Sequence, residues 1–68
     1  MTFSMKIADN LKRYRADRGL SFEKVARRAD LSLNTIVKIE SGVNKNPTID
    51  TLSKIANALN VSVDELIT

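Results

Sequence analysis

The stretch SLNTIVKIESG, at residues 32–42, is predicted to form a helix with two very different faces. At 100° per residue, Ile36 and Ile39 lie on one side with Thr35, which predicts an edge packed against the rest of the protein. The opposite side carries two aliphatic groups, an amide, an ammonium and a hydroxyl, from Leu33, Asn34, Val37, Lys38 and Ser41. A face that only water contacts is mostly polar, so this mixed face is expected to contact a partner.

Four of these five outward side chains have a chemistry that suits the edge of a DNA base pair. The Asn34 amide can form two hydrogen bonds with adenine, and Lys38 can reach guanine or a phosphate. Leu33 and Val37 offer only apolar contact, for which a thymine methyl group is a suitable partner. Ser32 is predicted first to cap the helix, with a base contact as its second role. The alternatives are solvated side chains and, for the two aliphatic residues, a protein-binding patch.

Side chains for most other chemistry are missing from the sequence. There is no His and no Cys among the 68 residues, which removes the usual catalytic triads, the usual zinc sites and any disulfide. A chain of this length hides only about 60% of its unfolded surface and forms one domain, predicted to span residues 1–68. We therefore predict no enzyme activity, no metal, no cofactor and no small-molecule ligand.

The charge of the chain is unevenly distributed. The formal net charge is +3, but residues 1–45 hold ten Lys and Arg against five Asp and Glu, a net charge of +5. Residues 46–68 hold one Lys against three acidic residues, a net charge of −2. The basic part predicts an anionic partner, although a chance asymmetry of a solvated surface gives the same counts. No apolar stretch reaches the ~20 residues of a membrane span and no signal peptide is evident, so we predict a cytoplasmic protein without membrane contact.

Five helices and no strand are predicted, at about residues 5–18, 22–29, 33–41, 49–59 and 62–67. The first helix is expected to end at Gly19 and the third at Gly42, because glycine readily takes the positive φ of a helix end. The second and third helices are short and are joined by a tight turn, which is the local pattern of a helix-turn-helix. The apolar spacing places Ile49 at the start of the buried face of the fourth helix.

Three motifs occur at consistent spacing along the chain. They are LSxExVAxxA at residues 20–29, LSxNTIxKIESG at 31–42 and NPTIxxLxKIAxALNVSxDEL at 46–66. Together they resemble the lambda-repressor-like (Cro/XRE) helix-turn-helix family, from about residue 6 to residue 67. The resemblance implies an all-α domain of five helices with a recognition helix, at about 33–41, in the major groove. It also implies homodimers on two-fold symmetric, double-stranded operators, with recognition helices ~34 Å apart.

The resemblance also implies roles for individual residues. Base contacts are predicted for Ser32, Leu33, Asn34 and Lys38, and backbone contacts for Phe22, Arg15, Ser41, Asn44 and Lys45. Arg15 and Glu40 match a pair that tends to form an ion bridge between the first and third helices of the family. The family often has glutamine where this chain has Phe22, so the amides of the second helix are expected to bind phosphate instead. The Phe22 ring is expected to lie partly buried, behind Leu33.

The C-terminal segment is expected to contribute the dimer surface. Four apolar residues lie close together there: Val61, Val63, Leu66 and Ile67. They are more apolar than so small a domain needs. Some of them are expected to cover the fourth helix, and the remainder to contact a second copy of the chain.

The sequence therefore predicts a sequence-specific, DNA-binding transcriptional regulator, and in particular a dimeric repressor. The rival interpretation is a protein-interaction module, an antitoxin or adaptor, that keeps the fold but binds a partner through Phe22, Leu33 and Val37. The two interpretations differ in their salt dependence, because DNA binding weakens steeply as the salt concentration rises and an apolar protein interface does not.

Overall fold

The computed structural model describes residues 3–68, with side chains from residue 6 onward, and contains five α-helices. They are α1 (Phe3–Asp17), α2 (Phe22–Ala29), α3 (Leu33–Glu40), α4 (Ile49–Leu59) and α5 (Val63–Ile67). No strand is present within residues 3–68. The predicted all-α architecture is confirmed, and the helix-turn-helix is formed by α2 and α3.

Four of the helices begin at a hydroxyl side chain that accepts a hydrogen bond from a backbone amide of the first turn. The acceptors are Ser21, Ser32, Thr48 and Ser62, at distances of 3.0–3.2 Å. Replacing such a cap by alanine costs about 1 kcal/mol. In α5 the cap is reciprocal, because the Glu65 carboxylate accepts from the Ser62 amide at 2.9 Å. This hydrogen bond lowers the pKa of Glu65.

Four of the helices, α1 to α4, are followed within two residues by a residue in the left-handed conformation. Gly19 and Gly42 have φ angles of 61° and 84°, as their predicted role required. Asp30 and Asn60 follow α2 and α4 with φ angles of 58° and 59°, and their backbone amides donate to carbonyls of the preceding turn. Asp and Asn tolerate this conformation better than most residues. The sharp reversal at Asp30 keeps the connection between α2 and α3 to three residues.

One hydrophobic core joins all five helices. α2 packs on α3 and α4, while α1 packs on α3 and α5. The seven largest fully buried side chains are those of Leu11, Val25, Ile36, Ile39, Ile55, Leu59 and Leu66. Ile36 and Ile39 are 0% and 1% exposed, which confirms the predicted inner edge of α3. The burial of this edge fixes which face of α3 points outward.

The burial of two apolar residues differs from the prediction. Leu66 was one of four residues named for the dimer surface, but its side chain is fully buried in the core and has no area to offer a second copy. Ile49 was assigned to the core, but it is 70% exposed, because it stands at the first position of α4, where the helix leaves the preceding loop. Leu66 therefore belongs to the core and Ile49 to the surface.

Asn10 is a buried polar residue that the sequence prediction missed. Its side-chain amide donates to the carbonyl of Leu66 at 2.7 Å, and its Oδ1 accepts from Arg13 at 3.2 Å. The first bond satisfies a carbonyl near the end of α5, which has no partner within its own helix. The burial of Asn10 could have been predicted from its position, because it lies on the same helical stripe as Ile7 and Leu11, where an apolar residue is expected.

Candidate nucleic-acid interface

The turn between α2 and α3 is held by backbone hydrogen bonds. The Leu31 amide donates to the Ala26 carbonyl at 2.9 Å, and the Asp30 amide donates to the Arg27 carbonyl at 3.3 Å. Ala26 and Ala29 are buried in α2, where their small side chains allow another helix to approach closely. Leu31 is half-buried and packs against the core. The start of α3 is thereby fixed relative to α2.

The outer face of α3 presents polar and aliphatic groups side by side. Asn34 and Lys38 are exposed. In the described part of the chain, neither side chain takes part in a hydrogen bond or an ion pair with another side chain. Leu33 is 44% exposed and Val37 38% exposed. All four groups are thus available to a partner that approaches α3 from outside.

Ser32 confirms its predicted role as the cap of α3. Its Oγ accepts from the Thr35 amide at 3.1 Å and lies 2.8 Å from the Thr35 hydroxyl. The side chain is exposed at the N-terminus of α3. A base or phosphate contact by Ser32 has to coexist with these two bonds, so its first function is to start the helix.

The opposite end of α3 is fixed by the ion pair of Arg15 with Glu40. Two nitrogens of the Arg15 guanidinium donate to the two carboxylate oxygens of Glu40, at 2.8 and 2.9 Å. A further Arg15 nitrogen donates to the Leu20 carbonyl at 3.0 Å. The Glu40 side chain is only 8% exposed, and its hydrogen bonds raise the pKa of Arg15. The predicted ion bridge between α1 and α3 is confirmed.

The predicted phosphate contact of Arg15 stays a prediction. The guanidinium is already bonded to Glu40 and Leu20, and its charge is balanced by the Glu40 carboxylate. Arg15 also lies over the Phe22 ring, 4.1 Å from its centroid. Three internal partners thus hold the guanidinium, so Arg15 positions the end of α3.

Phe22 is half-buried at the first position of α2. Its ring packs against the core and one face is covered by Arg15, so the predicted partial burial is confirmed. The cation–π contact joins Phe22 to the same group that orients α3. Phe22 can therefore support a backbone contact only through its amide, at the N-terminus of α2, while its ring stabilises the junction of α1 and α2. That Phe22 covers Leu33 from behind stays a prediction.

The loop after α3 is partly ordered by its own side chains. Ser41 donates to the Lys38 carbonyl at 3.2 Å, and the Asn44 side chain accepts from the Asn46 amide at 3.1 Å. The backbone N–H of Asn44 donates to the Lys38 carbonyl at 2.9 Å, which connects the loop to the end of α3. Lys45 is exposed and, within residues 6–68, has no acidic partner. The loop holds this charge close to α3.

An apolar groove of about 290 Å³ lies between the loop after α3 and residues of α1, α4 and α5. It is lined by Ile7, Lys45, Asn46, Pro47, Ile49, Leu52 and Ile67. Ile49, at 70% exposure, is the largest apolar area on its rim. Ile67 is half-buried there, and Val61 and Val63 are half-buried against the core. The groove adjoins the loop after α3, because Lys45 and Asn46 belong to both.

The sequence and the arrangement of the helices both match known proteins. The sequence profile described as helix-turn-helix matches residues 11–66, which include all of α2, α3 and α4. The chain belongs to the helix-turn-helix family. The resemblance that its three motifs suggested is confirmed.

The relatives of this helix-turn-helix protein include regulators of several bacteria. It is 39% identical over 62 residues to y4dJ of Sinorhizobium fredii, an uncharacterised HTH-type transcriptional regulator, over 91% of this chain and 79% of the relative. It is 33% identical over 61 residues to the HTH-type transcriptional regulator SinR of Bacillus subtilis, over 90% of this chain and 55% of SinR. The chain therefore spans about half the length of SinR.

Two crystal structures have the same fold. The restriction-modification controller protein C.AhdI of Aeromonas hydrophila superimposes with a TM-score of 0.86 at 28% identity, over 93% of this chain and 94% of that protein. The clp gene regulator ClgR of C. glutamicum gives a TM-score of 0.85 at 21% identity, over 97% and 84% of the two chains, and supports the fold alone.

The described residues of this helix-turn-helix protein contain neither a membrane-spanning helix nor a metal cluster. None of the helices within residues 3–68 is both long enough and apolar enough to cross a bilayer. In the same part of the chain, no three His, Cys, Asp or Glu side chains are grouped so that they could hold a metal ion.

Proposed function

We propose that this helix-turn-helix protein is a sequence-specific, DNA-binding transcriptional regulator whose recognition helix is α3. The observation that carries the proposal is the orientation of α3. Its inner edge, Ile36 and Ile39, is buried, and its end is held by Glu40, while Asn34 and Lys38 point outward. The names of the relatives as transcriptional regulators support the same function.

Four residues at the exposed side of α3 are proposed to contact base edges. Asn34 suits the N6 and N7 positions of adenine, and Lys38 suits the O6 and N7 positions of guanine. Leu33 suits a thymine methyl group. The Ser32 hydroxyl contacts a base or the adjoining backbone through the hydrogen-bonding positions that its bonds to Thr35 leave unused. A well-formed bidentate contact contributes roughly 1–3 kcal/mol of discrimination between bases.

The DNA backbone is proposed to contact two places that flank α3. One is the N-terminus of α2, where the Phe22 amide and the helix dipole attract a phosphate. The other is the loop after α3, where Ser41, Asn44 and Lys45 are exposed. These contacts fix the register of α3 on the duplex and carry no sequence information themselves.

Replacing Lys45 by alanine is expected to weaken binding to all duplex sequences by a similar factor. One phosphate contact fewer reduces the slope of log K against log salt concentration by about 0.9. The measurement is fluorescence anisotropy titration at several salt concentrations. Lys54→Ala is the matched control, because Lys54 lies in α4 beside Asp50, at 3.5 Å, and outside the proposed interface. Equal slopes for Lys45→Ala and the unmodified protein would mean that Lys45 is only solvated.

The regulator is further proposed to act as a homodimer, with the groove at Ile49 and Ile67 as the surface that meets a second copy. Val61 and Val63 are half-buried and remain candidates for the dimer contact in addition to the groove. Leu66 is fully buried and is no longer a candidate. Two arguments support the groove. Its rim carries the exposed Ile49 side chain, and it adjoins Lys45, so a dimer formed there brings two phosphate-contacting loops near one symmetry axis. Two copies on one operator then act as a repressor, since the occupied site is closed to other proteins.

Selection of bound sequences from a random pool of duplexes tests the function directly. We expect enrichment of a two-fold symmetric sequence whose half-sites are about one helical turn apart. Asn34→Ala is expected to relax the preference at one base pair of each half-site, while Lys54→Ala leaves the enriched sequence unchanged. If no sequence is enriched, the proposed function is wrong.

The exposure of Leu33 and Val37 also fits the rival function, a module that binds a protein partner. The third member of that surface does not strengthen it, because the Phe22 ring is half-buried and is covered by Arg15. Salt separates the two functions. A partner protein held by apolar contacts stays bound between low and moderate salt, whereas a DNA duplex is released.

A further inference from the structure

We infer that Leu33 and Val37 act together as a pair that recognises the C5-methyl groups of pyrimidines, so that operator binding responds to methylation at that carbon. The inference rests on the proposed function and deepens it. Leu33 and Val37 are then determinants of specificity, and the chemical group they recognise is the C5-methyl group. That group is carried by thymine and, equally, by 5-methylcytosine.

The arrangement of α3 places two stripes of side chains next to each other. Leu33 and Val37 are four residues apart and form an aliphatic stripe, while Asn34 and Lys38 are four residues apart and form a polar stripe beside it. Each pair is separated by about 6 Å along the helix axis. A spacing of about two base-pair steps, at ~3.4 Å each, matches this separation. The two stripes can therefore meet the same few base pairs.

The exposure of the aliphatic stripe gives it a chemical preference. Leu33 is 44% exposed and Val37 38% exposed, although the inner edge of the same helix is completely buried. In the major groove the C5-methyl group is the apolar feature that a base pair offers, and the other features are hydrogen-bond donors and acceptors. Aliphatic side chains have nothing to exchange with those donors and acceptors. Binding therefore gains most where the stripe covers a methyl group.

The size of the effect follows from the area that one methyl group removes from water. The transfer of one CH₂-sized group corresponds to about fourfold in the dissociation constant. Cytosine carries a hydrogen at the carbon where thymine carries its methyl group. Methylation of that cytosine restores the apolar group without changing the base pair, so the stripe is expected to bind 5-methylcytosine better than cytosine.

The experiment uses the duplex that selection enriches. Each thymine is replaced in turn by uracil, which removes the methyl group and leaves every hydrogen-bonding group in place. We expect about a fourfold weaker affinity at one or two positions of each half-site. At those positions, a C·G pair is expected to bind about fourfold more tightly when its cytosine is methylated at C5.

Two variants assign the effect to the stripe. For each of Leu33→Ala and Val37→Ala, we expect that replacing thymine by uracil at one position no longer changes the affinity. Val43→Ala is the matched control, because Val43 is an aliphatic residue, 72% exposed, outside α3, and this variant is expected to keep the response. Thermal unfolding of each variant verifies that it is folded.

The outcomes separate this inference from the function on which it rests. If a duplex is enriched but uracil has no effect at any position, or if the enriched site contains no thymine, the inference is wrong and the proposed function stands. A response to uracil that survives in both Leu33→Ala and Val37→Ala would also overturn it. If no duplex is enriched, the proposed function fails, and the inference fails with it.

Discussion

Replacing Arg15 by alanine is expected to lower the free energy of unfolding by about 3 kcal/mol. The substitution removes both hydrogen bonds to Glu40 and leaves its carboxylate, whose side chain is 8% exposed, without a balancing charge. The Leu20 carbonyl and the Phe22 ring lose a partner at the same time. Since a domain this small has only a few kcal/mol of stability, most of it would be lost. Urea denaturation followed by circular dichroism measures the change.

Two further substitutions show whether the geometry of the pair is responsible. Lys54→Ala breaks the other ion pair found within residues 6–68, with Asp50, whose side chains are 40% and 78% exposed. This control is expected to cost at most ~0.5 kcal/mol. Arg15→Lys keeps the charge but loses the bidentate geometry of the guanidinium. Its cost in unfolding free energy is therefore expected to lie between those of Arg15→Ala and Lys54→Ala. A cost for Arg15→Ala as small as that for Lys54→Ala would show that the pair does not hold α3 in place.

Replacing Ile49 by aspartate is expected to weaken binding to the full symmetric operator by about 10²–10⁴-fold. In a symmetric dimer each substitution occurs twice at the interface, so two carboxylates would meet across the groove. Without dimerisation, the second half-site is no longer bound by an already tethered partner. The position suits the test, because an acidic residue in the first turn of α4 is favoured by the helix dipole and leaves the fold intact. Analytical ultracentrifugation and operator titration provide the two measurements.

The control for this substitution is Val43→Asp. Val43 is as exposed as Ile49, at 72% against 70%, but it does not line the groove. Without DNA, Val43→Asp is expected to dimerise like the unmodified protein, and Ile49→Asp is expected to be a monomer that still binds a single half-site. If the unmodified protein is itself a monomer at high micromolar concentration, or if Ile49→Asp still dimerises, the groove is not the dimer surface.

The features that depend on neighbouring residues were predictable from the sequence. Ser32 and the other caps bond to amides three positions along the chain, and Gly19 needs only its own freedom to take a positive φ. The inner edge of α3 followed from the 3.6-residue period of Ile36 and Ile39. The bridge from Arg15 to Glu40 spans 25 residues, and it was expected only because of the resemblance to a family.

The features of tertiary packing that neither a local pattern nor the family resemblance specifies were not predictable. An amphipathic pattern shows which stripe of a helix is apolar. It does not show which part of that stripe is packed against other helices and which part is exposed. For that reason Ile49 was placed in the core and Leu66 among the candidates for the dimer surface, while the structure exposes Ile49 and buries Leu66. Asn10 interrupts an apolar stripe, and its partner in α5 is 56 residues away, so no local rule connects the two.

The hydrogen bond from Asn10 to Leu66 also has a consequence for the order in which the chain folds. It joins the first and last helices across 56 residues, whereas α2, α3 and α4 follow one another through short connections. The entropic cost of closing a loop rises with its length, so contacts between distant segments tend to form after local ones. We expect α2 and α3 to meet early and α5 to dock on α1 late. The helix-turn-helix would thus be the nucleus of folding as well as the surface proposed to bind DNA.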